Sequence, residues 1–204
     1  MTLLATAYFP NIEYFKRIAD ADQILIDIYE HFPKQTYRNR CEILAANGVQ
    51  SLTVNVEKGR TGKRITKSIK ISYIENWVKN HITAIISAYK SAPFFEFYWY
   101  EFEQILSNKE KNLIDLNQKI LEQCLSCLNI KRKIEYTSDF IPVENDFEDY
   151  RFSITPKIKT FEHNSYIQVF SDRFEFVPNL SILDILFNLG PEALTFIQNI
   201  DESK

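Results

Sequence analysis

The chain has 204 residues, 45% of them hydrophobic, and a net charge of −3, values that fit a globular domain with a sizeable core and exclude a disordered chain. An acidic balance argues against a general nucleic-acid binder, which needs a strongly basic face. The apolar runs fall far short of the ~18 residues a membrane span requires, and Met1 to Pro10 lack the basic leader of a signal peptide, so a cytoplasmic location is expected.

Leu3 to Ala7 form a short apolar run closed by Tyr8-Phe9-Pro10, after which Asn11 offers an N-cap to a helix bearing Ile12, Phe15, Ile18 and Ala19. Ile24 to Tyr29 follow as a nearly continuous apolar strand, the pattern of a parallel strand covered on both faces. The opening therefore reads β-α-β. Ligands of open α/β sheets bind beyond the carboxyl ends of the strands, so the loops at 8–11 and 31–40 are expected to face one crevice.

The second of these loops carries Lys34-Gln35-Thr36-Tyr37-Arg38-Asn39-Arg40, three cations in seven residues. Guanidinium groups bind phosphate oxygens through paired hydrogen bonds, which makes the run a candidate site for a small anionic or sugar ligand. A solvated loop entering a strand of alternating charged residues is the competing reading. Cys41 to Leu44 and Ser51 to Val56 then flank Asn47-Gly48, a hairpin signal. Lys58 to Arg64 form a glycine-containing basic turn without the strand-loop-helix context of a phosphate loop.

A helix is expected from about Glu75 to Pro93 with Ile74, Val78, Ile82, Ile85 and Tyr89 in register, then a second over about 94–106. A third, at about 109–128, places Cys124 and Cys127 in the core. Three cysteines in all make neither a disulfide framework nor a thiolate zinc site, so no metal is expected and a reducing compartment is. Ile134 and Tyr136 suggest a strand, 138–165 a lid or a surface excursion, and Tyr166 to Phe170 a further strand. Ser181 and Asp184 form a capping-box pattern ahead of an apolar helix stopped by Gly190. The sum is an α/β chain: a Rossmann-like, mostly parallel sheet with an antiparallel hairpin and a helical segment, in a single domain spanning 1–204.

Near-neutral bases are limited to His31, His81 and His163. His31 leaves the second strand. His81 lies one turn after Trp77 on the same helical face, where a satisfied, partly buried histidine is the alternative to a base.

Several segments together resemble the WbqC-like family of bacterial proteins. They are Tyr8-Phe9-Pro10, Tyr14-Phe15, Ala19 to Asp22, Lys34 to Arg40, Leu52-Thr53-Val54, Asn76-Trp77 with His81, Tyr89 with Ala92-Pro93, and Phe176 to Asp184. The family is associated with surface-polysaccharide and O-antigen gene clusters, and the resemblance implies transfer of an acyl or aminoacyl group to a nucleotide- or lipid-linked amino sugar. On that reading Lys34, Arg38 and Arg40 hold phosphate and Tyr37 or Trp77 packs on the sugar. Gln35, Asn39, Asn179 and Ser181 complete the ligand contacts, and His81 or His31 takes the amine proton. Many members carry His-Gln-Pro-Asn before the Tyr-x-Pro, where this chain has Leu4-Ala5-Thr6-Ala7. That departure raises the alternative of a non-catalytic binder of sugar phosphates or nucleotides. Neither a cofactor nor an oligomeric state is indicated.

Overall fold

Four parallel strands in the order β5-β2-β1-β6 form the central sheet: β1 (Thr2–Ala5), β2 (Ile24–Asp27), β5 (Ile134–Tyr136) and β6 (Glu148–Asp149). The computed structural model describes residues 1–59 and 64–201. Helix α1 (Ile12–Asp20) joins β1 to β2, and Asn11 caps it by accepting a hydrogen bond from the Tyr14 amide. A separate two-stranded antiparallel sheet, β3 (Arg40–Ala45) with β4 (Gly48–Thr53), packs against α2 (Trp77–Tyr89) and α5 (Ile182–Leu189). Gly48, with φ +101°, lets Ala46-Asn47 turn the hairpin in two residues. The mixed α/β architecture expected from the sequence is the one observed.

The helices α3 (Phe95–Ser107), α4 (Leu113–Cys127) and α6 (Ala193–Gln198) complete a contiguous apolar core running from Leu4 to Ile200. Gly190 ends α5 at φ +53°, where a Cβ would collide with the Phe94 ring.

Several local expectations change. The second hairpin arm is Gly48–Thr53 rather than 51–56. The buried stripe of α2 runs through Trp77, His81, Ile85, Ala88 and Tyr89, and Ile74 lies outside the helix, fully exposed. Cys124 is in the core, whereas Cys127 is half-buried. Residues 166–170 form no strand: the Gln168 amide donates to the Ser171 hydroxyl and its carbonyl accepts from the Ser171 amide, a turn in place of a ladder, while the side chains of Tyr166 and Gln168 reach a buried carboxylate. That carboxylate is Asp184, which does not close a capping box; it accepts hydrogen bonds from Tyr89, Tyr166 and Gln168 at 2.6–2.9 Å. Burial pushes its carboxyl above the usual range. Of the basic turn, Arg60 to Lys63 lie outside the described residues, and Arg64 donates to the Glu57 carbonyl.

The sheet is locked at its carboxyl edge by buried ions. Asp27, the last residue of β2, accepts from Arg151 at 2.5 Å, and its other oxygen accepts from the Tyr29 and Glu30 amides and the Thr137 hydroxyl. Arg151 also donates to Asp149 and to the carbonyls of Ile141 and Pro142. Arg38 grips Glu30 with two parallel bonds of 2.5 Å and donates to the Arg151 carbonyl. Removing one partner of such a buried pair strands the other. Arg151→Met is therefore expected to lower stability in urea unfolding by ~3–5 kcal/mol, with partial recovery in the Asp27→Asn double variant. A loss below ~1 kcal/mol would show that these ions are dispensable.

Candidate functional site

The two loops predicted to meet do so at the carboxyl ends of β1 and β2. The Tyr8 amide donates to the Tyr37 carbonyl, and the Tyr14 hydroxyl reaches back to the Ala5 carbonyl at 2.9 Å. Asn117, from α4, donates to both the Thr6 hydroxyl and the Arg38 carbonyl, which fixes the loops from beneath. Phe9 turns the chain at φ +41° while buried against Tyr8 and Phe102. A bulky residue in that region is strained, and such strain persists where the surroundings over-determine it.

Two small cavities sharing Tyr37 open here. One, of about 10 Å³, lies among Thr6, Tyr14, Tyr37, Arg38, Tyr150 and Ile154. Its neighbour, of about 90 Å³, lies among Tyr37, Glu42, Lys159, Phe161, Pro178 and Asn179. Residues 150–161 form a strap across both, anchored by the Tyr150 amide on the Leu3 carbonyl and by Arg17 over the Tyr150 ring. Both cavities are far smaller than the ~300 Å³ of a small ligand pocket, so occupancy by a sugar-sized molecule requires the strap to shift. A larger groove of about 800 Å³ between the hairpin and α2 is open and lined by small side chains such as Ala45, Ala84 and Ser87. Asn47, Gln50, Lys79 and Asn80 also line it, but it lies away from the carboxyl ends of the parallel strands, so volume alone does not make it the site.

Of the residues expected to bind ligand, Tyr37, Arg38 and Asn179 converge on these cavities. Arg40 sits two residues before Glu42, on the same face of β3, with Nε on the Thr53 hydroxyl. Lys34 and Gln35 are exposed, the latter at φ +59°. Asn39 donates to the Val54 carbonyl, Trp77 donates to the Ser72 carbonyl, and Ser181 caps α5. These three residues line neither cavity.

The two expected bases stand apart from each other and from the cavities. His31 is exposed near the Phe140 ring and bridges to Ile65. His81 is buried with its Nδ1 2.9 Å from the Tyr8 hydroxyl, its ring against Trp77 and the Thr53 carbonyl beside it. Burial lowers its pKa to about 4.

Sequence reasoning passed over Glu42 and Arg151, and named His163 only as one of three near-neutral bases. The alternation Arg40-Cys41-Glu42-Ile43, with Cys41 and Ile43 buried, marks Glu42 as a polar residue facing the Arg40 side, a signal that was available. His163 accepts a hydrogen bond from the Asn179 amide at Nε2, with Nδ1 2.8 Å from the Asn164 carbonyl. Asn179, held at φ +56°, accepts from the Glu13 backbone amide at Oδ1 and donates through Nδ2 to the Glu13 carboxylate at the start of α1. Burial first, then the Glu42 and Glu13 carboxylates, push the Tyr37 phenol above its usual range. Arg38 is neutralised by Glu30 at the smaller cavity, whereas the charged residues lining the larger one are Glu42 and Lys159, 3.7 Å apart.

The fold is thus a mixed α/β one, with a strap-covered crevice at the carboxyl ends of a parallel sheet. The model of the WbqC-like protein family matches residues 6–160 and 144–196, and the chain belongs to that family. It is similar to the uncharacterized protein Rv1507c of Mycobacterium tuberculosis (strain ATCC 25618 / H37Rv), with 25% identity over 97% of each chain. No solved structure matches. No helix among the described residues is long and apolar enough to cross a membrane.

The His81 geometry has a pH consequence. The unfolded chain, with an ordinary histidine near 6.5, binds more protons than the folded one down to about pH 4. Stability due to neutral His81 is thus complete above pH 6.5 and falls by ~1.4 kcal/mol per unit on acidification through that window. Urea unfolding at pH 7 and pH 5 is expected to show this slope, and His81→Asn to flatten it. An NMR titration placing His81 near 6.5 would contradict the burial argument.

Proposed function

We propose that the chain binds a small polyhydroxyl ligand, a sugar or sugar derivative, beneath the strap at the carboxyl ends of β1 and β2. The observation that carries this reading is the convergence of Tyr37, Arg38 and Asn179 on adjoining cavities under residues 150–161. The ring faces of Tyr37 and Phe161 suit the apolar face of a sugar, and the Tyr37 hydroxyl with fixed amide and guanidinium donors suits its hydroxyls. The separation of His31 and His81 from the cavities favours a binding protein over one that relies on a histidine base. Sugar phosphates and nucleotide sugars are the natural extended ligands, with Arg40 the nearby cation on the Glu42 face.

One observation favours a second reading, acyl or aminoacyl transfer to an amino sugar. A carboxylate, Glu42, lines the larger cavity. In such a transfer the amine nitrogen bonds to the acyl carbon, the leaving group departs with its bonding pair, and a base must take the amine proton; Glu42 is the group placed to do so.

Calorimetric titration with free sugars, sugar phosphates and nucleotide sugars tests the binding reading. At least one is expected to bind, and Tyr37→Phe to weaken it roughly threefold to tenfold, while Ser87→Trp in the hairpin groove leaves affinity unchanged. Failure of every ligand to bind, or loss in the groove variant alone, would overturn it.

A further inference from the structure

We infer that the outer edge of β4 is a self-association site, where a second copy of this chain pairs its own β4 antiparallel across a two-fold axis at Gln50. This interface is separate from the crevice beneath the strap and does not depend on what binds there.

The two-residue turn makes Ala45 and Gly48 a hydrogen-bonded pair, and the alternation of an antiparallel ladder then turns the N–H and C=O of Val49, Ser51 and Thr53 away from β3. The opposite edge of the hairpin obeys the same alternation and is satisfied: the Glu42 carbonyl accepts from the Ser181 amide, and the Leu44 amide donates to the Tyr89 hydroxyl. At the far end of β4 the Thr53 carbonyl turns to His81. The amides and carbonyls of Val49 and Ser51 have no such partner among the described residues.

Soluble proteins usually blunt an exposed strand edge with lysine, proline, a bulge or a covering element. β4 reads Gly-Val-Gln-Ser-Leu-Thr, keeps unbroken register with β3 from Gly48 to Thr53, and leaves Val49 44% exposed. The groove of about 800 Å³ beside it is walled by small residues of α2, Thr83, Ala84 and Ser87, which leave room for another strand.

The edge is complementary to itself. Setting Val49 of one copy opposite Ser51 of the other, and the reverse, satisfies every one of these outward amides and carbonyls on both strands. The same axis brings the two Gln50 side chains together as a non-hydrogen-bonded pair, where side chains approach most closely and amide ends can bond each other. β4 carries no charge to repel across the axis. Lys79 is the one charged residue among the described residues lining the groove, and α2 meets β4 through His81 at its Thr53 end. A two-fold therefore sends the two lysines to opposite ends of the paired strands. The groove offers no row of charge to select a foreign acidic or basic strand, and a second copy needs none.

Sedimentation velocity of the full chain over a concentration series up to ~1 mM tests this. A monomer passing to a dimer is expected. Ser51→Pro removes an outward N–H without touching the ladder to β3, and should weaken dimerisation about tenfold or more with urea unfolding unchanged. Gln50→Lys and Gln50→Glu, both at an exposed position, should each weaken it several-fold alone, and a mixture of the two should restore it. A chain that stays monomeric throughout, including one whose edge takes up a foreign extended peptide instead, overturns the inference. So does a dimer that survives Ser51→Pro and both Gln50 changes, since it would form through another surface.

Discussion

The buried ion network at the carboxyl edge of the sheet is the constraint on which the rest of this structure depends. Asp27 ends β2 with no exposure to solvent, and Arg151, itself 1% exposed, reaches it from 124 residues away while holding Asp149 and two carbonyls. Charges this deep are tolerated only when every lone pair and proton is matched. Here the matching fixes topology: β2, β6 and the start of the strap must come together for either ion to be satisfied. Arg38 extends the lattice by joining Glu30 to the Arg151 carbonyl, so the loop after β2 is set by the same condition.

That constraint also decides the chemistry available at the site. An arginine consumed by a bidentate carboxylate offers little net field to a phosphate, even where it lines a cavity. The charges left to face the larger cavity are the carboxylate of Glu42 and the weakly held ammonium of Lys159. Tight pairs thus build the floor of the crevice, and a looser pair sits at the strap. His81, satisfied between the Tyr8 hydroxyl and the hairpin, belongs by its contacts to the floor.

The β-α-β opening, the hairpin and the long helices were legible because each depends on local pattern: apolar runs, Asn-Gly, and periodicity ended by proline. What escaped was non-local. The strand expected at 166–170 has the right residue types, but the Gln168 backbone closes a turn with Ser171 and no partner strand lies alongside. The basic run reads from sequence as one patch, yet folding divides it: Lys34 and Gln35 to solvent, Arg38 to Glu30, Arg40 to Thr53. Tyr37 and Asn179 were identifiable as candidates only through the family resemblance and their neighbours. Their meeting across α1 depends on Glu13 and His163, contacts that sequence spacing does not encode.

A co-crystal structure with a sugar or sugar phosphate that binds in calorimetry tests the central claim most directly, since it reports both the site and the state of the strap. The account predicts the sugar in the crevice beneath residues 150–161, its ring against Tyr37, with the strap displaced outward. The same sugar bound in the groove between the hairpin and α2, with the strap in place, would contradict it.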